Sequence, residues 1–398
     1  MKAGIIVDNE FNNDARVRRE AMILKSAGYD VHVLCLGFGK EYKNIEGISI
    51  SRILINRKLK DTLFFFQNAI PLYESFWARK ISGFISSVNP DIIHVHDLYM
   101  SKAAHSGIKR SGRKIPMILD LHENYPFQVT TYNWTKGFLR NLFSKPGAWK
   151  KKESEYLGYA DKIVVLSREY MESLMSEYPY LHEDMFIVFP NVPDLTAPEY
   201  TNKKKFEKPF GNDFPVLLYY GIIAERRGIF ETLKVFSDIV SNGYNVNLLL
   251  IGPIDKKDKV RFNELSSGNY LTGKLKHIPW IESKDFPGYL DISDICLAPF
   301  RKNPQHESGI ANKIYDYMLG GKPLIVSDCR PQANLVEKFK CGLVFRNNEE
   351  YSVNILTLLD DEELRKSMGR NGQNAIINKY NSSTFSGGLL SAYGELKK

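Results

Sequence analysis

Two copies of one short unit constrain this chain most. Residues 27–34 read AGYDVHVL and residues 242–249 read NGYNVNLL, sharing a Gly-Tyr-x-Val frame at Gly28 and Gly243. Each copy closes a longer pattern. In the first, the apolar run GIIV (4–7) precedes a polar loop (8–14), Val17, Ala21 and Leu24 recur at helical spacing, and a second apolar run comes after Gly28. In the second, PVLLYY (215–220) leads into GIIAERRG, then Ile229, Leu233, Phe236 and Val240 form a stripe, and Gly243 precedes another apolar run. Strand, loop, helix and strand, with a helix-ending glycine able to take positive φ, open a doubly wound α/β domain. Two such openings predict two domains.

Further apolar runs bounded by polar residues read as buried strands. They are DIIHVHD (91–97), IPMILDLHE (115–123), ADKIVVLS (160–167) and MFIVFPN (185–191) in the first half, and DICLAPF (294–300), KPLIVSD (322–328) and GLVF (342–345) in the second. Residues 193–213, rich in Pro, Lys and Asn with little periodicity, are the linker candidate. The expected fold is α/β, two Rossmann-like doubly wound domains facing across a cleft. Ligands then belong at the carboxyl ends of the strands.

With 398 residues, 43% hydrophobic and 25% charged, the composition excludes a disordered or fibrous chain. The net charge of +8 suits nucleic acid, an anionic membrane surface or a phosphorylated small molecule. Four cysteines (35, 296, 329, 341) lack paired spacing, so no disulfide framework or thiolate zinc site is expected. The short apolar start before Asp8 and the lack of a membrane-length apolar run lead us to expect a cytoplasmic protein.

Three places can carry chemistry. The loop GIIAERRG (221–228) sits between a strand and a helix, where free amides, Arg226 and Arg227 can meet an anion; a plain strand-to-helix turn with solvated arginines reads equally well. In HESGIANKIYDYMLGGKP (306–323), Ser308 or Asn312 is expected to cap a helix from about Ala311 to Leu319 that carries Lys313 and Asp316, either a nucleotide-holding pair or a surface ion pair. The third is His94, His96 and Asp97 at one strand end with Asp120, His122 and Glu123 at another, readable as a metal site, an acid/base pair or a grip on sugar hydroxyls. Metal is disfavoured because the separations match no standard ligand signature.

Basic and aromatic residues also alternate in 52–66 (RILINRKLKDTLFFF) and 136–152 (KGFLRNLFSKPGAWKKK), the latter with six basic side chains and no acid. Such stretches suit an anionic membrane interface or a partly buried helix with solvated lysines. Nucleic acid ranks below these, because no nucleic-acid-binding motif accompanies them.

The segments DARVRREAMILKSAGYDVHVL (14–34), DIIHVHDL (91–98), LDLHENYP (119–126), FPNVPD (189–194), YYGIIAERRG (219–228), DISDICLAPF (291–300), ANKIYDYMLGGKPLIVSD (311–328) and LRKSMGRNGQ (364–373) stand in a specific order. In that order the chain resembles the retaining GT-B glycosyltransferases called family 4 over nearly its full length. The resemblance implies an acceptor domain at 1–195, a nucleotide-sugar donor domain at 196–375, and a last helix at 376–398 that returns toward the first domain. It assigns catalytic roles to His122, which contacts the transferred sugar, and to Arg227 and Glu307. Donor binding falls to Gly221, Arg226, Arg227, Trp280, Ser308, Gly309, Ile310, Asn312, Lys313 and Asp316, and acceptor binding to Asn13, Arg16, His96, Asp97 and Glu123. Arg227 matches the lysine of the family's G-R-x-x-x-x-K-G pattern and Ile222 replaces its arginine. Asp316 fits the second of the family's paired glutamates, with Ser308 at the first and Glu307 adjacent. The donor base is expected around His277–Trp280.

The activity the resemblance implies is sugar transfer from a nucleoside-diphosphate sugar to a saccharide or lipid-linked acceptor in surface polysaccharide synthesis. No cofactor and no metal are expected, because fixed cations stabilise the leaving diphosphate. The partners are the sugar nucleotide, the acceptor and an anionic membrane surface, and not nucleic acid. A GT-B nucleotide-sugar epimerase and a catalytically degenerate nucleotide-sugar binder are the alternatives.

Overall fold

The computed structural model describes residues 1–39, 45, 47–132, 135, 137–195 and 204–397. Residues 196–203 of the expected linker, Lys136 and the expected boundary at 196 lie outside them. The chain divides into two compact units, residues 1–190 with 385–398, and residues 191–384.

The first unit holds a seven-stranded parallel sheet of β1 (Lys2–Ile6), β2 (Asp30–Gly37), β3 (Ile48–Leu54), β4 (Ile92–His96), β5 (Met117–Asp120), β6 (Lys162–Val165) and β7 (Phe186–Val188), in the order β3-β2-β1-β4-β5-β6-β7. The strand period of two sends side chains to both faces. From β1, Ala3 and Ile5 join Val17, Ala21 and Leu24 of the helix Ala15–Ser26 in one core, while Ile6 joins Trp77 and Ile81 of the helix Leu72–Val88 in the other. Leu389 and Tyr393 of the helix Ser382–Glu395 complete the first core. A buried Leu or Ile contributes about 1.5–3 kcal/mol, so the two-sided sheet supplies most of the driving force. Asp14 starts the helix Ala15–Ser26, its carboxylate accepting from the Val17 amide at 3.1 Å.

The second unit repeats the plan with six parallel strands: β8 (Val216–Tyr220), β9 (Asn247–Ile251), β10 (Leu275–Ile278), β11 (Ile295–Ala298), β12 (Leu324–Ser327) and β13 (Gly342–Phe345), in the order β10-β9-β8-β11-β12-β13. The helix Ile229–Ser241 buries the expected stripe. Gly28 and Gly243 take φ of +84° and +90°, which explains the landmark they share. In each unit the strand order reverses beside the first strand, between β1 and β4 and between β8 and β11. That reversal opens a crevice at the carboxyl ends of those strands.

Two strands were not read from the sequence, β3 and β10. Both are edge strands with irregular burial, so their apolar pattern is weak. β3 takes the first three residues of the basic-aromatic segment 52–66, and β10 takes His277, whose Nε2 lies 2.8 Å from the Gly252 carbonyl oxygen. No helix among the described residues is long and apolar enough to cross a membrane.

Candidate active site

At the second unit's switch point, the loop after β8 turns through Gly221 at φ +128°, where an added Cβ would lie 2.7 Å from the Lys313 ammonium. Only glycine gives both that conformation and that approach. The chain then makes a short 3-10 turn at Glu225–Arg227 and enters the helix Ile229–Ser241 through Gly228. Opposite stands the helix Asn312–Leu319, whose N-cap is Ala311 with no side-chain cap. The capping expected of Ser308 or Asn312 is not what forms: the Ser308 hydroxyl donates to the Gln305 carbonyl at 2.8 Å, and Asn312 is already the first helical residue. Gly309 and Ile310 are half-buried in the loop that leads in.

Between these elements lie two cations. The Lys313 ammonium sits 3.7 Å from the Tyr219 ring centroid and 5.1 Å from that of Phe300, and the Arg227 guanidinium lies 5.1 Å from the same Phe300 ring. Among the described residues neither forms an ion pair with a carboxylate, and the Arg227 Nε has no hydrogen-bond partner. Burial and then Arg227 push the Lys313 ammonium well below its ordinary pKa, and burial lowers that of Arg227. Two desolvated cations facing each other in an aromatic box are costly, and an anion between them removes the cost.

The neighbouring charges are committed elsewhere. Arg226 Nη1 donates to Asp255 at 2.7 Å, and Glu307 accepts from the Arg330 amide at 3.1 Å and from its Nε at 3.0 Å. Arg226 and Glu307, expected at the donor, thus each carry a partner that is remote in sequence. Ile222 is exposed and offers the loop its carbonyl, which accepts from the Tyr219 hydroxyl at 2.8 Å. Asp316 is half-buried on the helix beside Tyr220, whose phenol is raised by burial first and by Asp316 next. Trp280 is 70% exposed after β10, an open aromatic face. His306 has no role in the sequence reading, yet its Nε2 lies 3.4 Å from Arg227 Nη1.

In the first unit the switch point lies between the loop after β1 and the ends of β4 and β5. Arg16 is buried, its Nε and Nη2 each donating to Asp120 at 2.8 Å and its Nη1 to the Phe189 carbonyl at 2.9 Å. It cannot also hold an acceptor, contrary to the sequence expectation. β5 ends at Asp120, so His122 and Glu123 lie in the loop beyond and not on the strand. His122 nevertheless reaches back, its Nε2 2.9 Å from His96 Nδ1 and 3.3 Å from Asp120. Against burial, Asp97 and Asp120 raise the His122 imidazole to about 9, so at neutral pH it is a donor. Burial brings Glu123 to about 7, and the Tyr132 hydroxyl donates to it at 2.8 Å. Asp97 holds φ +72° and ψ 136°, a conformation costly for a residue with a Cβ, and such outliers gather at functional sites.

Glu20, His94, His96 and Asp120 bring four possible metal-ligand atoms within 4.8 Å of one another. A guanidinium already fills that role, since Arg16 lies 3.1 Å from Glu20 as well as against Asp120. An ion would have to displace it. Beside the loop after β1 a cavity of about 490 Å³ is lined by Asn9, Asn13, Asp14, Phe38, Lys60 and Asp61. Asn13, expected at the acceptor, lines this cavity. His96 is fully buried and serves the network behind it.

Comparison with known proteins agrees with this layout. The model of the family Glycosyltransferase Family 4 matches residues 16–196, and that of Glycosyl transferases group 1 matches residues 201–375. The chain is 26% identical over 203 residues to the capsular polysaccharide biosynthesis glycosyltransferase CapM of Staphylococcus aureus, covering 49% of this chain and 50% of that protein. It is 24% identical over 188 residues to the alpha-D-kanosaminyltransferase of Streptomyces kanamyceticus, covering 46% and 47%. The chain thus spans about half the length of the curated relatives it matches. Among solved structures, sucrose-phosphate synthase from Thermosynechococcus elongatus shares the fold, with a TM-score of 0.73 at 15% identity over 100% of this chain and 99% of that one. With one family model taking up each half of a chain whose two units repeat this plan, the protein belongs to the family 4 glycosyltransferases and has the GT-B fold.

Proposed function

We propose that the chain transfers a sugar, with retention, from a nucleoside-diphosphate sugar to a saccharide or lipid-linked acceptor in surface polysaccharide synthesis. The observation that carries this reading is the pair Arg227 and Lys313, two desolvated cations with no carboxylate partner among the described residues, at the carboxyl end of β8. A departing diphosphate brings the negative charge they lack, and the uncapped amides of the helix Asn312–Leu319 add to it. On this reading Asp316 meets the ribose hydroxyls and Trp280 the base. In the first unit the imidazolium of His122 donates to a hydroxyl of the transferred sugar, and the cavity beside Asn13 takes the acceptor. No protein nucleophile is assigned; the leaving phosphate oxygen takes the acceptor's proton. The fixed cations make a metal unnecessary, so transfer should persist in EDTA.

Incubation with radiolabelled UDP-, GDP- and ADP-sugars tests this. Transfer or slow donor hydrolysis is expected with one of them. Isomerised donor would replace the reading by an epimerase, and binding without any turnover by a degenerate binder.

We also propose that the first unit rests on an anionic bilayer. The two basic-aromatic segments meet: Phe66 and Phe143 are in edge contact at 6.0 Å, and Asn68 donates to the Ser144 carbonyl at 3.0 Å. Phe138 is 83% exposed, and Leu142, Phe143, Ile70, Leu72 and Lys145 are exposed as well. Not all of the expected face contributes. Trp149 is buried among Tyr99, Tyr125 and Tyr156, Phe64 packs on Tyr73, and Lys150 pairs with Glu153. Liposomes rich in anionic lipid should sediment the protein at low salt and release it at high salt, and Phe138→Ser with Leu142→Ser should weaken this severalfold. Equal sedimentation with neutral lipid would remove the proposal.

A further inference from the structure

Arg226 and Arg227 are adjacent, yet the structure holds them by opposite means. Arg226 is bound by a carboxylate, Asp255 at 2.7 Å, so its charge is locally cancelled. Arg227 is met by an imidazole. His306 Nδ1 lies 2.7 Å from the Arg301 carbonyl oxygen and 2.9 Å from Asn303 Nδ2, and the Arg227 guanidinium opposite Nε2 can only donate, so Nε2 presents a lone pair and the ring proton sits on Nδ1, toward the Arg301 carbonyl. That Nε2 is 3.4 Å from Arg227 Nη1. The ring stacks on Phe300 at 4.8 Å and 29°, and the backbone amide of His306 donates to Asn303 Oδ1 at 3.0 Å, which holds the main chain beneath it.

We propose that His306 is a positioning residue for the anion site, a neutral acceptor that aims the Arg227 guanidinium without cancelling its charge. This rests on the donor-binding reading of the Arg227 and Lys313 pair. A carboxylate at the same place would hold Arg227 more firmly and neutralise it, leaving the diphosphate one cation fewer. An apolar residue would leave the charge but release the side chain, whose rotamer freedom the ligand must then remove. A neutral imidazole avoids both. The groups around it favour the neutral form: burial first, then the nearby Arg227, Arg226 and Lys313, bring His306 down to about 4. Phe300 is the shared platform, with His306, Arg227 and Lys313 all against its ring.

The test compares His306→Gln, His306→Glu and His306→Ala in the full chain, by calorimetric titration with UDP, GDP and ADP. Gln and Glu have nearly the same shape and both can accept from Arg227, so a role in packing alone predicts equal affinities. The inference predicts that Gln binds within a few-fold of wild type, Ala about tenfold more weakly, and Glu weakest, by roughly a hundredfold. Melting temperatures of the free proteins check folding, and the Gln and Glu pair carries the comparison even if Ala is unstable. Binding by wild type with equal affinity for Gln and Glu overturns the inference alone. No binding of any nucleotide to wild type removes the donor reading and this inference with it.

Discussion

Replacing Arg227 by alanine lowers turnover with the accepted sugar nucleotide by about a hundred- to a thousandfold, the range found when one preorganised charge-stabilising donor is lost. The fold should survive and gain slightly in stability. Arg227 has no carboxylate partner among the described residues, loses water around its guanidinium and faces the Lys313 ammonium, so in the free protein its removal relieves repulsion. Two measurements separate this from general damage. The melting temperature without ligand should stay equal or rise, while the added stability that a nucleoside diphosphate confers on wild type should largely vanish. Near-wild-type turnover, or a fall in the ligand-free melting temperature of many degrees, would count against an unpaired anion-binding cation.

That prediction depends on a distinction between two neighbours. Arg226 and Arg227 stand in one motif, and the sequence reading assigned both to the donor, with Arg227 at the family's lysine position. What decides is Asp255, brought alongside by the loop after β9, and no spacing rule announces it. Glu307 is a similar case: its partner Arg330 opens a helix that comes after β12. His306, Tyr219 and Phe300 were equally hidden, because aromatic and histidine residues near a strand end look alike in a string whether they fill a core or box a cation.

The frame was far more legible. The apolar runs of β1, β5, β8, β11 and β12 are buried on both faces, so they appear as nearly continuous hydrophobic stretches, β4 is interrupted only by its histidines, and the positive-φ glycines punctuate them. Edge strands β3 and β10 lack that burial and therefore that signal. Family likeness assigned His122 to the transferred sugar and Arg16 to the acceptor. Burial changes that assignment: a guanidinium with three bonds already made to Asp120 and the Phe189 carbonyl is a structural cation.

Arg16→Met is accordingly expected to destabilise the first unit by about 3–5 kcal/mol, the usual consequence of leaving a buried charge without its partner. Burial alone would raise Asp120, yet Arg16 and then His122 hold its carboxyl well below the ordinary range, whereas burial and Asp120 together hold Glu20 well above it. The guanidinium is thus what permits Asp120 to be charged in the interior, and Asp120 in turn fixes His122. Methionine matches much of the lost volume, so a packing defect does not account for a large loss. The pH profile supplies a second readout. Burial lowers His94 and His96, so their neutral forms contribute stability above the unfolded value near 6.5 that is lost as pH falls below it. His122 is raised to about 9, so its charged form contributes stability below about 6.5 that is lost as pH rises toward 9. Wild type should therefore melt highest near neutral pH. In Arg16→Met the carboxyl of Asp120 loses the first of the charges that hold it below the ordinary range, so the stability it contributes above about pH 4, lost as pH falls, should shrink. A variant that melts within a degree or two of wild type, with the same loss toward acid, would mean that Arg16 does not hold this network together.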